Sequence, residues 1–449
     1  MIDKKILIVC NDVIGPKMAG PAIRCVEIAK VLSRHFIVKL YASKVQGDFI
    51  FPFEVYEFSS AKRFRLDADV ADIIIVQGSA LRAHPFLKKT KAVLIADLYC
   101  PIPLEYHQAS SGVNPEVRAA TGVFLSDVLR EQLAFADHFL CASERQREFW
   151  LGALMLTGRV NSLRWPEASD ANISDLISLL PFGLSSERPQ QQRPALRSKF
   201  NIPFEDLVLV WGGGLYQWFD PLTPIRAVHK LVSSGRRVHL VFLGVKHPNP
   251  NIAEHDMSAR AVSLATELEL INQFVHFNFD WVNYDDRHNY LLDADVGISA
   301  HFDNPETRFS FRTRMLDYLW CGLPIIATRG DFFGDKLDAQ QIGISVDFKD
   351  EAGWVRAIES IITEPQKLKN MQTQVSQYSE QYRWETLIGP LVERCKNITV
   401  SADRVLIRKS YTGADRSGWL SSRLRRAYTS GGIQSVFHAF FRWVRRCLG

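Results

Sequence analysis

Residues Glu306–Ile326 read ETRFSFRTRMLDYLWCGLPII. Three of the seven residues from Arg308 to Arg314 are arginine, and an apolar, helix-like segment follows at once. Met315, Leu316, Leu319 and Trp320 recur at the i, i+3, i+4 spacing of one helix face. Gly322 and Pro324 stop that helix, and Ser310 is placed to cap its start. The spacing therefore predicts Arg312 and Arg314 in the first turn, with Arg308 just ahead. Each cation there opposes the helix dipole by roughly 0.3–1 kcal/mol. A bound anion reverses the sign, because free N–H groups, dipole and guanidinium forks then converge on it. A diphosphate has the matching charge and size. The competing reading is a set of salt bridges, with Asp303 and Glu306 close by in the chain. Asp317, further along the helix, can accept two hydrogen bonds from vicinal hydroxyls such as those of a ribose.

Working outward, Pro324–Ala327 is a short apolar run of strand character. Others in the second half are Leu207–Trp211, His239–Leu243, Val275–Phe277 and Asp295–Ala300. The first half offers Ile6–Cys10, Ile37–Ala42, Asp72–Gln77, Ala92–Asp97 and His138–Ala142. Amphipathic stretches such as PAIRCVEIAKVLSRH and LTPIRAVHKLVSSG lie between them. Strands alternating with helices imply parallel βαβ units. The chain thus reads as two doubly wound α/β halves, one after the other. Ser185–Asp206, polar and holding three prolines, reads as the linker between them. Asp-Ala-Asp-Val precedes a strand in both halves. That repetition fits an acid at the turn into a buried strand better than a divalent-metal site.

In such sheets, ligands bind beyond the carboxyl ends of the strands. The segments there are GGGLYQWFDP, GVKHPNP, HFDNPETRFSFRTR and TRGD. Together they form a plausible anion pocket. Gly212, Gly213 and Gly214 let backbone approach a phosphate or sugar closely. They are not a dinucleotide fingerprint, since Gln217 stands where the third glycine belongs. No phosphate-loop motif is present either. In the first half, Gly20, Asp97 and His107 fall where they would face the same cleft.

The totals fit a soluble enzyme. The chain has 449 residues, 47% hydrophobic and 23% charged, enough for two or three domains. The N-terminal apolar run is too short for a membrane span or a signal-peptide core. Seven scattered cysteines without C-x-x-C spacing argue against a disulfide framework or zinc site and favour a reducing compartment. The net charge of +5 is uneven. Residues 404–449 hold ten Lys/Arg and one acid, a charge of +9, so residues 1–403 carry +5 less +9, or −4. Within that tail, Ile433, Val436, Phe437, Phe440, Val444 and Leu448 form an apolar stripe beside Arg442, Arg445 and Arg446. This reads as a basic amphipathic helix on an anionic bilayer; the alternative is docking on the protein body. Basic residues confined to the tail, without a recognition motif, argue against nucleic acid.

Residues 206–330 resemble the donor-binding domain of retaining GT-B glycosyltransferases of the family-4 type. The strongest likeness is Asp317-Tyr-Leu-Trp-Cys-Gly-Leu-Pro-Ile-Ile-Ala, similar to the second half of that family's acid-x7-acid element. GPKMAGPAIRCVEIAKVL is similar to its glycine loop and first helix. CASERQREFW, LPFGL and YSEQYRWETLIGPLVERC fall where the family has a serine-bearing strand end, a Pro-x-Gly turn and a helix crossing back to the first domain. The likeness spans about 1–398. It implies domains at 1–190 and 206–383, a crossover helix at 384–398 and a tail at 404–449. By resemblance, Asp317 holds the ribose, backbone near Phe311–Thr313 cradles the diphosphate, and Gly20 approaches it from the other side.

Two departures stand out. Phe309 occupies the place of the family's first acid, and Glu306 is the substitute, reaching a sugar hydroxyl. The usual Arg and Lys after the glycine loop are missing, and Arg308, Arg312 and Arg314, with Lys246, replace them. Asp97 is expected to bind the acceptor hydroxyl. The combination looks like a bacterial subgroup associated with surface-polysaccharide assembly. It implies a metal-independent transfer of a sugar, with retention, from a nucleotide-diphosphate donor to a hydroxyl of a lipid-linked glycan. No cofactor is expected, and the protein is expected on the inner face of the cell membrane. Two alternatives are a non-catalytic nucleotide-sugar or glycan-binding partner, and a sugar phosphorylase or epimerase on the same fold.

Overall fold

The computed structural model describes residues 3–16, 18–47, 50–110, 112–167, 172–245, 256–280, 282–283 and 285–412. Lys246 and residues 413–449, with the stripe from Ile433 to Leu448, lie outside them.

The first domain is built on β1 (Lys5–Ile14), β2 (Ile37–Val45), β3 (Glu54–Glu57), β4 (Ile73–Gln77), β5 (Val93–Asp97), β6 (His138–Cys141) and β7 (Ile177–Leu179). They form one sheet in the order β3-β2-β1-β4-β5-β6-β7, and every pairing is parallel. The second domain uses β8 (Leu207–Gly214), β9 (Val238–Gly244), β10 (Val275–Phe277), β11 (Val296–Ser299), β12 (Ile325–Thr328) and β13 (Gly343–Val346). Their order is β10-β9-β8-β11-β12-β13, again all parallel. Strands covered on both faces must be apolar throughout. Accordingly Ile6–Cys10 and Leu209–Trp211 are buried at every position. In each sheet the order reverses beside one strand, at β1/β4 and at β8/β11. A crevice opens at such switch points, and both reversals lie next to a glycine-bearing strand end.

Three strands escape the sequence pattern: β3, β7 and β13. Each is three or four residues long and lies at a sheet edge, too short to show a period. The linker also differs from expectation. Leu196–Phe200 is a helix, and Leu196 and Ile202 are buried. Arg197 Nη2 donates to Asp295 Oδ2 at 2.8 Å, and Ala195 N donates to Asp293 Oδ2 at 2.9 Å. This half of the segment therefore belongs to the second domain. The repeated Asp-Ala-Asp elements have such structural partners in both halves. Asp295 also receives the Val208 N–H (2.7 Å), and Asp67 receives the Tyr41 hydroxyl (2.6 Å).

The chain crosses between domains at two adjoining points. Leu184 and Arg383 form a parallel bridge, with Leu184 N donating to Tyr382 O at 2.7 Å and Trp384 N to Leu184 O at 3.0 Å. The helix Trp384–Asn397 then lies on the first domain, where Lys4 Nζ donates to Lys396 O at 2.7 Å. Gly183 makes the crossing possible, because a Cβ there would sit 2.5 Å from the Trp384 ring.

The start of the basic tail is part of the body. In the helix Arg404–Thr412, Arg404 Nε donates to Asp137 Oδ1 at 2.8 Å, and Arg408 Nη2 donates to Phe135 O at 2.6 Å. Asp403, just before it, pairs with Arg159 and Arg164. The sequence pattern assigned residues 404–412 to the membrane-facing tail. Their arginines instead hold first-domain carbonyls and carboxylates. Among the described residues no helix is long and apolar enough to cross a membrane.

The crossing gives a direct test. Gly183→Ala overpacks the Trp384 ring and is expected to destabilise the protein by about 1–3 kcal/mol in denaturant melts. An unchanged midpoint contradicts the stated contact.

Candidate active site

A cavity of about 570 Å³ separates the two domains, a size suited to a small-molecule ligand. Gly20, Tyr99 and Glu105 contribute from the first domain, and Gly212–Gly214, Ser310–Arg314 and Asp317 from the second. Both switch points thus open into one space.

The three glycines have distinct reasons. Gly213 adopts φ +82°, a conformation that disfavours a side chain. A Cβ on Gly214 would lie 2.9 Å from the Tyr216 ring. Gly212 N donates to Tyr318 Oη at 2.7 Å, and a Cβ there would press on the same ring at 3.2 Å. Tyr318 is fully buried, and its hydroxyl also lies 2.9 Å from Ile298 O. Burial first of all, against the nearby Arg314 charge, pushes it up to about 12. It therefore stays neutral and fixes its helix to the ends of β8 and β11.

That helix runs Thr313–Trp320, and its N-cap is Arg312, without a side-chain cap. The expected cap, Ser310, instead ends the short helix Pro305–Phe309, and its Oγ donates to Thr307 O at 3.0 Å. The start thus falls two residues later than the pattern suggested, with Ser310 closing the preceding helix and the extended Arg312 standing at the N-cap. The uncapped start strengthens the case for an anion, since Arg312, Thr313 and Arg314 all line the cavity. Ser310 and Phe311 line it as well. Asp317 does too, and its Oδ1 accepts from Arg287 Nε at 2.9 Å.

The arginines divide. Arg308 is exposed and does not line the cavity. Arg312 is buried, and its two terminal nitrogens donate to Glu306 Oε1 and Oε2 at 2.8 and 2.7 Å. Its Nε lies 3.7 Å from Asp331, which pairs with His301 at 3.2 Å. Burial pulls Asp331 upward, but the His301 hydrogen bond and the Arg312 charge hold it below its ordinary value. Arg314 is different. Its Nη2 donates to Gly214 O at 2.8 Å, its guanidinium lies 4.1 Å from the Phe219 ring centre and 4.9 Å from that of Trp211, and its buried Nη1 has no partner. Burial, reinforced by the neighbouring Arg312 charge, pushes it down to about 10. Of the two cluster arginines on the cavity wall, Arg312 has a carboxylate partner and Arg314 has none among the described residues.

Two expected acids are not free. Glu306 is 2% exposed, with both oxygens on Arg312 and none on the cavity wall. Asp97 is 4% exposed, and its oxygens receive Arg24 Nε at 2.6 Å and Nη2 at 2.9 Å. Each is consumed by a two-point ion pair, so neither is placed to reach a sugar hydroxyl. His107 is exposed and outside the cavity. Sequence reasoning placed the Asp97–Tyr99 segment at the cleft, and Tyr99 lines the cavity; it missed Glu105, Gln146 and Arg287 on the wall. The one available signal was CPIPLEYH directly after β5, at the edge where ligands bind.

The Arg312–Glu306 pair yields a stability prediction. Glu306→Ala leaves Arg312 buried without its countercharge and should cost about 3–5 kcal/mol. A loss below 1 kcal/mol in chemical melts would contradict the pairing.

Residues 192–380 match the family model for glycosyl transferases group 1. A D-inositol 3-phosphate glycosyltransferase of Rhodococcus opacus (strain B4) is 26% identical over 97 residues, which are 22% of this chain and 22% of that relative. Among solved structures, HepE of Anabaena in complex with UDP-glucose superposes with a TM-score of 0.62 at 15% identity, covering 88% of this chain and 100% of that one. WaaG, a glycosyltransferase involved in lipopolysaccharide biosynthesis, gives 0.61 at 14% identity, over 86% and 98%. At such identities the structures establish a shared fold, the two-domain GT-B arrangement. Together with the match over the second domain, they support a glycosyltransferase.

Proposed function

We propose that the protein moves a sugar from a nucleoside-diphosphate donor to a hydroxyl of a glycan acceptor, with retention of configuration. The observation that carries this is Arg314, a half-buried arginine whose buried Nη1 has no partner, beside an uncapped helix start and an exposed glycine backbone, with no carboxylate of its own among the described residues. A diphosphate supplies the missing charge. HepE binds UDP-glucose at the same fold, which supports this donor class. WaaG's part in lipopolysaccharide biosynthesis supports a cell-envelope glycan as acceptor.

In this reading Gly212–Gly214 lets the donor approach β8, and Gly20 brings first-domain backbone to the other side. Arg314 and the N–H groups at Thr313 stabilise charge as it grows on the leaving diphosphate. Arg312, held rigid by Glu306, shapes that wall. Asp317 accepts from the ribose hydroxyls. The acceptor oxygen attacks the anomeric carbon from the side the diphosphate leaves, and its proton passes to a leaving phosphate oxygen. Side chains and backbone, rather than a metal, meet the diphosphate charge.

A second reading has a specific observation behind it. Phe309 stands in the place of the family's first acid, and Glu306 is committed to Arg312. Both fit a non-catalytic nucleotide-sugar-binding partner. Release of free sugar or transferred product from a nucleotide sugar separates the two readings.

Titration with UDP, GDP, TDP and ADP is expected to raise the melting temperature for one of them; no response to any contradicts the donor site. Asp317→Ala should weaken that nucleotide about 10-fold, the worth of one hydrogen bond to a charged group, while pyrophosphate binding is unchanged. Equal loss of both removes the ribose role.

The tail is part of the same proposal. Residues 413–449 carry seven Lys/Arg and one acid, net +6, and we assign them to an anionic membrane surface that presents the acceptor. Deleting 413–449, which spares the docked helix Arg404–Thr412, should abolish pelleting with phosphatidylserine vesicles at low salt. Unchanged pelleting rejects the assignment.

A further inference from the structure

One carboxyl on the cavity wall has no part in the scheme above. Glu105 sits in the first turn of the helix Ile102–Ala109, just after β5. The other acids around the cavity are engaged by arginine: Asp97 by Arg24, Glu306 by Arg312 and Asp317 by Arg287. Among the described residues no lysine or arginine closes an ion pair with Glu105; the Cys100 thiol is its hydrogen-bond partner. Burial and then the Glu306 charge raise its pKa, against the opposing pull of the Cys100 hydrogen bond and Arg312.

Its position is fixed rather than incidental. Gln146, 0% exposed, donates through Nε2 to Tyr99 O and to Phe309 O, both at 2.8 Å. One amide thus joins the loop leading to Glu105 with the second-domain segment leading to Arg312. The helix Ile102–Ala109 packs on Pro305–Phe309 across the domain boundary. Glu105 therefore faces the cavity from the first domain, while Arg314 and the glycines face it from the second. Around it the wall is apolar or aromatic, with Ile23, Tyr99, Pro101 and Phe182.

Glu105 is half-buried on the cavity wall, and its two oxygens can accept more hydrogen bonds than the Cys100 thiol alone supplies. We propose that Glu105 binds the acceptor hydroxyl and aims it at the donor sugar. This rests on the transferase reading and takes the acceptor role away from Asp97. The site suits a neutral sugar, whose hydroxyl meets the carboxyl and whose C–H faces meet Tyr99 and Phe182. A phosphorylated or carboxylated group at that position would meet the like charge of Glu105. Glu105 positions the oxygen; the proton still leaves with the diphosphate.

The test uses the full chain with Glu105→Gln and Glu105→Ala. The probes are the nucleotide sugar whose diphosphate stabilises the wild type, water as the default acceptor, and octyl glucoside as a neutral sugar acceptor. Both variants should melt at or above the wild-type temperature and keep the nucleotide-induced shift. Donor hydrolysis, and any transfer to octyl glucoside, should fall at least 10-fold. Wild-type rates in both variants overturn the proposal. So does a lost nucleotide shift, which would move Glu105 to the donor side, or a lower melting temperature in both, which would make it structural. If the wild type itself shows no nucleotide shift, the transferase reading fails and the acceptor assignment falls with it.

Discussion

The uncompensated guanidinium of Arg314 is the constraint around which the second domain is arranged. A half-buried cation without a carboxylate, one of its nitrogens shut off from water, is unfavourable. Here the Gly214 carbonyl and the faces of Phe219 and Trp211 offset part of that cost. These partners fix where the guanidinium lies without cancelling its charge. Tyr318 does the same for the backbone, joining the glycine strand end to the arginine-bearing helix through one neutral hydroxyl. The result is a positive site that is already organised and lacks only an anion.

The neighbouring charges show the contrast. Arg312 lies two residues away and is satisfied by Glu306. It acts as a rigid wall, and its remaining contact, with Asp331, extends the network to His301. Across the cleft, Arg145 pairs with Asp335 and donates to Gly330 O at 2.8 Å. With Gln146, these contacts hold the domains close enough for one ligand to touch both.

Much of the architecture was legible in the chain. Buried parallel strands announce themselves as continuous apolar runs, and Ile6–Cys10 and His239–Leu243 did so. The glycines and the Met315-Leu316-Leu319-Trp320 face were equally plain, because local geometry dictates them. The pairing of charges was not. Asp97 meets an arginine 73 positions earlier, a contact made only when β1's following helix lies beside β5. Glu306 reaches Arg312 because the chain breaks at Ser310, where a capping pattern reads as the start of a helix. Glu105 carries no motif, and its place on the cavity wall depends on its helix packing against the second domain. The docked helix Arg404–Thr412 was hidden by its own composition: arginines read as surface charge, yet two of them cap first-domain carbonyls.

Isothermal titration of the stabilising nucleoside diphosphate into Arg314→Met, beside the wild type, bears most directly on this site. If Arg314 waits for a diphosphate, affinity falls about 10- to 100-fold, the worth of a hydrogen bond to a charged group, and the ligand-free variant is no less stable. If affinity is unchanged while the ligand-free variant is destabilised, the guanidinium serves only the fold, and the anion site is contradicted.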